Sequence, residues 1–209
     1  MKKFLQLLSF LALLCAPLSY ADDLMDGINA YEKSDYVRAS ASFQTSCESG
    51  NAEACYNLAN MYDKGLGVNK DDQKAVTLFT KACDGGFMDS CYNLGMMYDK
   101  GEGVKQDATK AVSLYTKTCE IGHTRGCYNL ALMFYKGQGV QKDFVKASGL
   151  FQKTCEQGYE ESCYNLGVMY RDGQGVMKSK QQALELFKKA CDQNLPIACK
   201  NYEKLKSGM

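Results

Sequence analysis

Ten of the chain's eleven cysteines stand in two series with a common step of 36 residues. Cys47, Cys83, Cys119, Cys155 and Cys191 form one series, and Cys55, Cys91, Cys127, Cys163 and Cys199 the other. The offset between them is eight, so the chain carries five C-x7-C pairs in register. A fixed period of this length is the signature of stacked supersecondary units, each unable to bury its apolar face alone. It rules out a fold with one central core.

Within the period the sequence reads as helix–turn–helix. From Cys91, residues Leu94, Gly95 and Tyr98 recur at helical spacing on one face, giving a first helix, A. Gly95 is matched by Ala59, Ala131 and Gly167, small residues that let a neighbouring helix come close. Turns follow at Gly65/Gly67/Val68, Gly101/Gly103/Val104, Gly137/Gly139/Val140 and Gly173/Gly175/Val176. Asp71, Asp107, Asp143 and Ser179 then stand where an N-cap is needed for a second helix, B. Helix B carries an apolar stripe, Ala111, Val112, Leu114 and Tyr115 in one period and Ala183, Leu184, Leu186 and Phe187 in another. Its end is marked by Gly50, Gly86, Gly122, Gly158 and Asn194, residues that tolerate a left-handed cap. With no strand alternation the class is all-α, of about eleven helices. The domain plan is one repeat domain over 22–209: an N-terminal capping helix pair at 24–49 with a tight turn at Lys33-Ser34-Asp35, repeats at 51–86, 87–122, 123–158 and 159–194, and a C-terminal capping helix at 195–206 opened by Pro196.

Residues 1–21 read as an export signal to be removed. Lys2 and Lys3 make a basic head, Phe4 to Leu14 an apolar run too short to span a bilayer, and Ser19-Tyr20-Ala21 a cleavage site after Ala21. Leu14 before Cys15 argues against lipid attachment there. Without Lys2 and Lys3 the 25 basic residues fall to 23 against 24 acidic ones, so the net charge is −1. That balance gives no electrostatic case for nucleic acid or an anionic membrane surface, and no second apolar run reaches transmembrane length. The expected location is secreted or periplasmic, where disulfides persist.

The run Leu-Gly-x-Met-Tyr-x-x-Gly-x-Gly-Val-x-x-Asp-x-x-Lys-Ala, as at Leu94 to Ala111, resembles the Sel1-like repeat, a relative of the tetratricopeptide repeat. With C-x7-C added in each period, the chain is similar to the Helicobacter cysteine-rich protein family. Ser179 and Gln182 depart from the Asp and Lys of the other periods, and Phe134 from tyrosine. The resemblance covers essentially the whole chain after residue 21. It implies a right-handed α/α solenoid, a secreted and disulfide-stapled protein, binding of penicillin-type β-lactams, and slow β-lactam hydrolysis.

Each cysteine pair spans the end of a helix B, its glycine cap and the start of the next helix A. Folded as a hairpin, the two positions come within disulfide reach. Of about 945 connectivities open to ten cysteines, repeat symmetry selects Cys47–Cys55, Cys83–Cys91, Cys119–Cys127, Cys155–Cys163 and Cys191–Cys199. A zinc reading fails on spacing and on partners, since His123 is the sole histidine and structural zinc pairs lie two to four apart. No C-x-x-C is present for thioredoxin-like redox chemistry. No cofactor or metal is expected.

Repeat scaffolds bind on a concave face, here expected to be lined by the A helices. Asn57, Asn93, Asn129 and Asn165 form a ladder that can donate to and accept from an extended peptide backbone, or can instead hold the angle between repeats. Met61, Met97, Met133 and Met169 form a second ladder, adaptable to partners or simply packed. Tyr56, Tyr92, Tyr128 and Tyr164 read as inter-helix packing. Partners are then a peptide, a cell-wall peptide or a protein, with β-lactams implied by the resemblance. A structural adaptor in the cell envelope is a further alternative.

A β-lactamase-type hydrolase needs a catalytic set. No S-x-x-K occurs, and Lys117-Thr118-Cys119 stops short of K-T-G. One histidine and ten paired cysteines do not supply an open zinc site. Asp63, Asp99 and Asp172 lie near helix ends, as solvated charges do, and His123 reads as an exposed loop residue after Gly122. No nucleophile is assigned. Peptide mapping under non-reducing conditions should recover each C-x7-C pair as a local bridge; a bridge between distant periods contradicts the pairing.

Overall fold

The computed structural model describes residues 16–208. The basic head, apolar run and Cys15 of the expected export signal lie outside the described residues. Eleven α-helices and no strand occur among the described residues. The A helices are α1 (Ala16–Glu32), α3 (Ala52–Lys64), α5 (Met88–Lys100), α7 (Thr124–Lys136), α9 (Glu160–Asp172) and α11 (Pro196–Ser207). The B helices are α2 (Tyr36–Glu48), α4 (Asp72–Asp84), α6 (Ala108–Glu120), α8 (Phe144–Glu156) and α10 (Lys180–Asp192). The fold is of the all-α solenoid class, built of helical hairpins. It divides into two compact units, one ending at Gln106 and one starting at Asp107. In the first, α1 to α4 each pack on the helix that follows; in the second, α6 to α10 do the same.

Every helix B starts on a side-chain cap. Asp71, Asp107, Asp143 and Ser179 accept the N–H of Lys74, Lys110, Lys146 and Gln182 at 3.0, 3.0, 2.9 and 3.2 Å. Asp35, one step of 36 before Asp71, caps α2 in the same way at 3.2 Å. These oxygens satisfy N–H groups that no helical turn reaches. Each helix A in the four central periods ends at a left-handed glycine, Gly65, Gly101, Gly137 or Gly173, whose N–H returns to the carbonyl of Met61, Met97, Met133 or Met169.

The core is also periodic. Phe43, Phe79, Tyr115, Phe151 and Phe187 recur at the 36-residue step on the B helices, each at most 2% exposed. Ala39, Ala75, Ala111, Ala147 and Ala183 recur beside them, fully buried. The small residue of helix A receives the ring: a Cβ at Gly167 would press on the Phe187 ring, and one at Gly27 on Phe43. Large against small at a fixed step gives close interdigitation without a central core.

The turn between helices A and B ties one period to the previous one. Gly67 lies against the Tyr36 carbonyl, Gly103 against that of Asp72, Gly139 against Ala108 and Gly175 against Phe144, so close that a Cβ would overlap the backbone. All four have positive φ, so glycine is required twice over.

At the other end, five disulfides join each helix B to the following helix A: Cys47–Cys55, Cys83–Cys91, Cys119–Cys127, Cys155–Cys163 and Cys191–Cys199. Their Cα atoms lie 4.5–4.7 Å apart. Between them the chain reverses through Gly50, Gly86, Gly122, Gly158 or Asn194, all left-handed. Lysines add a further tie. Lys81 Nζ donates to the Cys47 carbonyl, and Lys189 Nζ to that of Cys155 at 3.0 Å, filling acceptors at the end of the preceding helix B.

Alanine at Gly86, where nothing lies within 4 Å, should cost about 1–2 kcal/mol for the left-handed backbone alone. Gly103→Ala adds overlap with Asp72 and should cost clearly more in denaturant unfolding. Equal losses would contradict the reading of the turn as an inter-repeat contact.

Candidate functional site

On each A helix two stripes run side by side. In α3 the core stripe is Ala54, Leu58 and Met61, all buried. The neighbouring stripe is Glu53, Asn57, Asn60 and Lys64, spaced i, i+4, i+7 and i+11, which keeps it on one face. It borders two grooves. The first, about 410 Å³, lies between α1 and α3 and is lined by Ile28, Tyr31, Glu32, Phe43, Glu53, Tyr56, Asn57, Asn60 and Lys64. The second, about 240 Å³, lies between α3 and α5, where Asn60, Asp63 and Lys64 face Asn93, Met96 and Lys100. In the other unit a groove of about 170 Å³ between α7 and α9 is lined by Leu132, Tyr135, Lys136, Phe151, Asn165 and Val168. Two grooves in the first unit and one in the second thus lie between consecutive A helices, each with a ladder asparagine on its wall.

Asn57, Asn93, Asn129 and Asn165 are all half-buried. Asn57, Asn93 and Asn165 each line one of these grooves. Asn165 also donates from Nδ2 to the Tyr128 hydroxyl at 3.4 Å, a long bond joining consecutive A helices. So this asparagine borders the groove and touches the previous repeat at once. Asn201 continues the ladder by one more step; its Oδ1 accepts from Arg171 at 3.5 Å and its Nδ2 donates to the Ile197 carbonyl.

The methionines lie elsewhere. Met61, Met97, Met133 and Met169 are 0–4% exposed and belong to the core stripe. That burial fits the packed alternative for this ladder, and Met97 also lines the groove between α3 and α5. The tyrosines pack between helices, Tyr56 against Phe87 at 4.7 Å and Phe79 at 6.0 Å, Tyr128 against Tyr159 at 4.8 Å, Tyr164 against Phe187 at 5.7 Å. Tyr56 also lines the first groove.

His123 is not an exposed loop residue. It is half-buried and is the N-cap of α7, its Nδ1 accepting the Gly126 N–H at 3.0 Å. Asn51 caps α3 in the same way through Ala54 at 2.9 Å. Asp172 is held below the usual carboxylate range by two 2.7 Å hydrogen bonds from the Arg171 guanidinium, which is raised in turn. The Lys146 amide lowers the capping carboxyl of Asp143. Asp63 pairs with Lys70 at 3.8 Å. The serines directly before Cys91 and Cys163 are inside: Ser162 Oγ accepts from Thr154 at 2.6 Å in the core, and Ser90 is fully buried. Among the described residues, no three His, Cys, Asp or Glu side chains gather as a metal site would require, and no helix is long and apolar enough to cross a membrane.

The Sel1 repeat model matches residues 52–87, 89–123, 124–159 and 160–195. Among solved structures, the chain is similar to c5321, a protective antigen of uropathogenic Escherichia coli strains displaying an SLR fold, at 27% identity and a TM-score of 0.85. That match covers 90% of this chain and only 42% of the antigen. A Sel1 repeat protein from Oxalobacter formigenes matches at 28% identity and a TM-score of 0.76, over 81% of this chain and 70% of that one. Helicobacter pylori cysteine rich protein B matches at 32% identity over 66% of this chain and 92% of its own, with a TM-score of 0.46. No functionally curated protein matches the chain significantly in sequence.

His123→Ala should lower stability by about 1 kcal/mol through loss of the cap, and His123→Asp, which keeps an acceptor, should restore most of it. Thermal unfolding of the two variants checks this; equal losses would mean the ring acts by packing.

Proposed function

The chain belongs to the Sel1 repeat family, and from that premise we propose that it is an exported scaffold that holds an extended peptide segment of a partner on its A-helix face. The observation that carries this reading is the asparagine at one fixed position, which borders the groove between consecutive A helices at Asn57, Asn93 and Asn165. A carboxamide offers two donors and an acceptor, the complement of a peptide unit, and spaced along a groove it engages backbone rather than side chains. The groove volumes suit side chains of a peptide rather than a folded domain. Five disulfides fit an oxidising compartment, secreted or periplasmic, and keep the face from having to be ordered on binding.

The hydrolase that the family resemblance suggests has less support. Ser90 and Ser162, each directly before a disulfide cysteine, are fully buried, and of the carboxylates near helix ends Asp63 and Asp172 are paired. A cell-wall peptide remains within the peptide class; a β-lactam would be bound as its mimic.

The test is selection of a displayed random ten-residue peptide library on the immobilised, oxidised protein, followed by affinity measurement on the Asn57→Ala/Asn93→Ala variant. All selected peptides should weaken at least tenfold whatever their sequence, since the lost contacts are to backbone; tenfold corresponds to about 1.4 kcal/mol. No selected peptide, or unchanged affinity in the variant, would overturn the reading. Turnover of a chromogenic cephalosporin that falls in the variant would favour the hydrolase instead.

A further inference from the structure

The near-neutral charge of the chain is unevenly spread along it. Of the 23 basic and 24 acidic residues from position 22 on, residues 107–209 hold 15 basic and 10 acidic ones. The excess gathers at the turn between α9 and α10. That turn lies on the start of α8, with Gly175 against the Phe144 carbonyl. The Tyr135 hydroxyl donates to Gln174 Oε1 at 2.9 Å and holds the turn from the other side. The two segments that meet there, 142–146 and 171–180, carry Lys142, Lys146, Arg171, Lys178 and Lys180 against Asp143 and Asp172 alone. Both carboxylates are already engaged. Asp143 caps α8 and pairs with Lys146 at 3.6 Å, and Asp172 takes the Arg171 guanidinium. Lys142, Lys178 and Lys180 are exposed and have no ion-pair partner among the described residues.

The first unit holds a different set at the same places. Three periods earlier, the positions of Arg171, Lys178 and Lys180 are Asp63, Lys70 and Asp72. There Lys70 stands between two carboxylates, 3.8 Å from Asp63 and 2.9 Å from Asp72. In the turn between α9 and α10 both carboxylate positions hold cations instead. Like charges gathered in this way repel, and an anionic surface relieves the repulsion. Apolar side chains stand among them. Met177 in the turn is 88% exposed, and Val145 in the first turn of α8 is 69% exposed. A soluble polyanion would satisfy the lysines and leave Met177 in water. A bilayer with anionic headgroups takes both, since its phosphates meet the ammonium groups and its headgroup boundary takes the apolar side chains. We infer that the turn between α9 and α10, with the start of α8, is a peripheral docking surface for an anionic phospholipid bilayer. Lys142, Lys178 and Lys180 meet the phosphates, and Met177 enters the boundary. This goes beyond the peptide reading and does not depend on it.

Flotation of the oxidised protein with lipid vesicles tests this. Phosphatidylcholine vesicles containing about a third phosphatidylglycerol should carry the protein up, and pure phosphatidylcholine vesicles should not. Lys142→Gln/Lys178→Gln/Lys180→Gln should weaken partition by roughly tenfold or more. Lys142→Arg/Lys178→Arg/Lys180→Arg should match the wild type. Met177→Ser should weaken partition by roughly threefold or more. All four side chains are exposed, so the variants keep the fold. No flotation, equal flotation with both kinds of vesicle, or a glutamine variant that binds like the wild type would overturn the surface. A loss in the glutamine variant with none in Met177→Ser would overturn the bilayer as the occupant and point to an acidic peptide.

Discussion

Everything in the structure depends on how a helix B is turned into the next helix A. The junction is four devices in nine residues: a helix end, a left-handed residue, a new helix start and a covalent bond across them. The left-handed residue reverses the chain, and the disulfide holds the two Cα positions 4.5–4.7 Å apart. Each bridge closes a short loop and so contributes about 2.5 kcal/mol in the chain-entropy model. That is modest for one bond but sizeable for a period of 36 residues whose own core is a few rings and alanines. A stack of such periods has stability that is summed locally, so a staple in every period strengthens every interface rather than one.

The opposite end of each period is held without covalent bonds. There the second glycine of the turn brings the loop onto the backbone of the preceding helix B, and the aspartate or serine that follows caps the next one. With one end clamped by sulfur and the other by backbone contact, consecutive A helices keep a set spacing within each unit. The grooves between them are the consequence. Their walls are the helix face left over once the core stripe has been buried, and asparagine stands half-buried at the edge of that stripe. Asn165 both touches the previous repeat and borders the groove, so holding the repeats together does not take this position out of the groove wall.

Most of the fold was legible because it repeats. Cysteine register, glycine pairs and N-cap aspartates each recur at 36 residues, and a local device repeated four or five times leaves little freedom in placing helices. Periodicity was a poorer guide to the site. Met61 and Asn57 are one turn apart and both recur, so repetition alone cannot say which faces helix B and which faces a groove; burial decides it. His123 reads as loop because histidine is not a common cap residue, yet its ring nitrogen does what Asn51 does two periods earlier. Asn60 escaped notice for the opposite reason: Met96, Leu132 and Val168 hold its place in the other periods, so no ladder marks it. Asn201 could have been found by extending the ladder one more step.

The account stands on the claim that the local disulfides, rather than packing alone, hold the A-helix faces in place. Native-state amide hydrogen exchange of the oxidised and the fully reduced protein tests it directly. Reduction should lower protection in the A helices of both units, beginning at their first turns beside Cys55, Cys91, Cys127, Cys163 and Cys199. Equal protection in the two forms would contradict it, and would mean that ring-into-gap packing and the glycine contacts suffice to position the face by themselves.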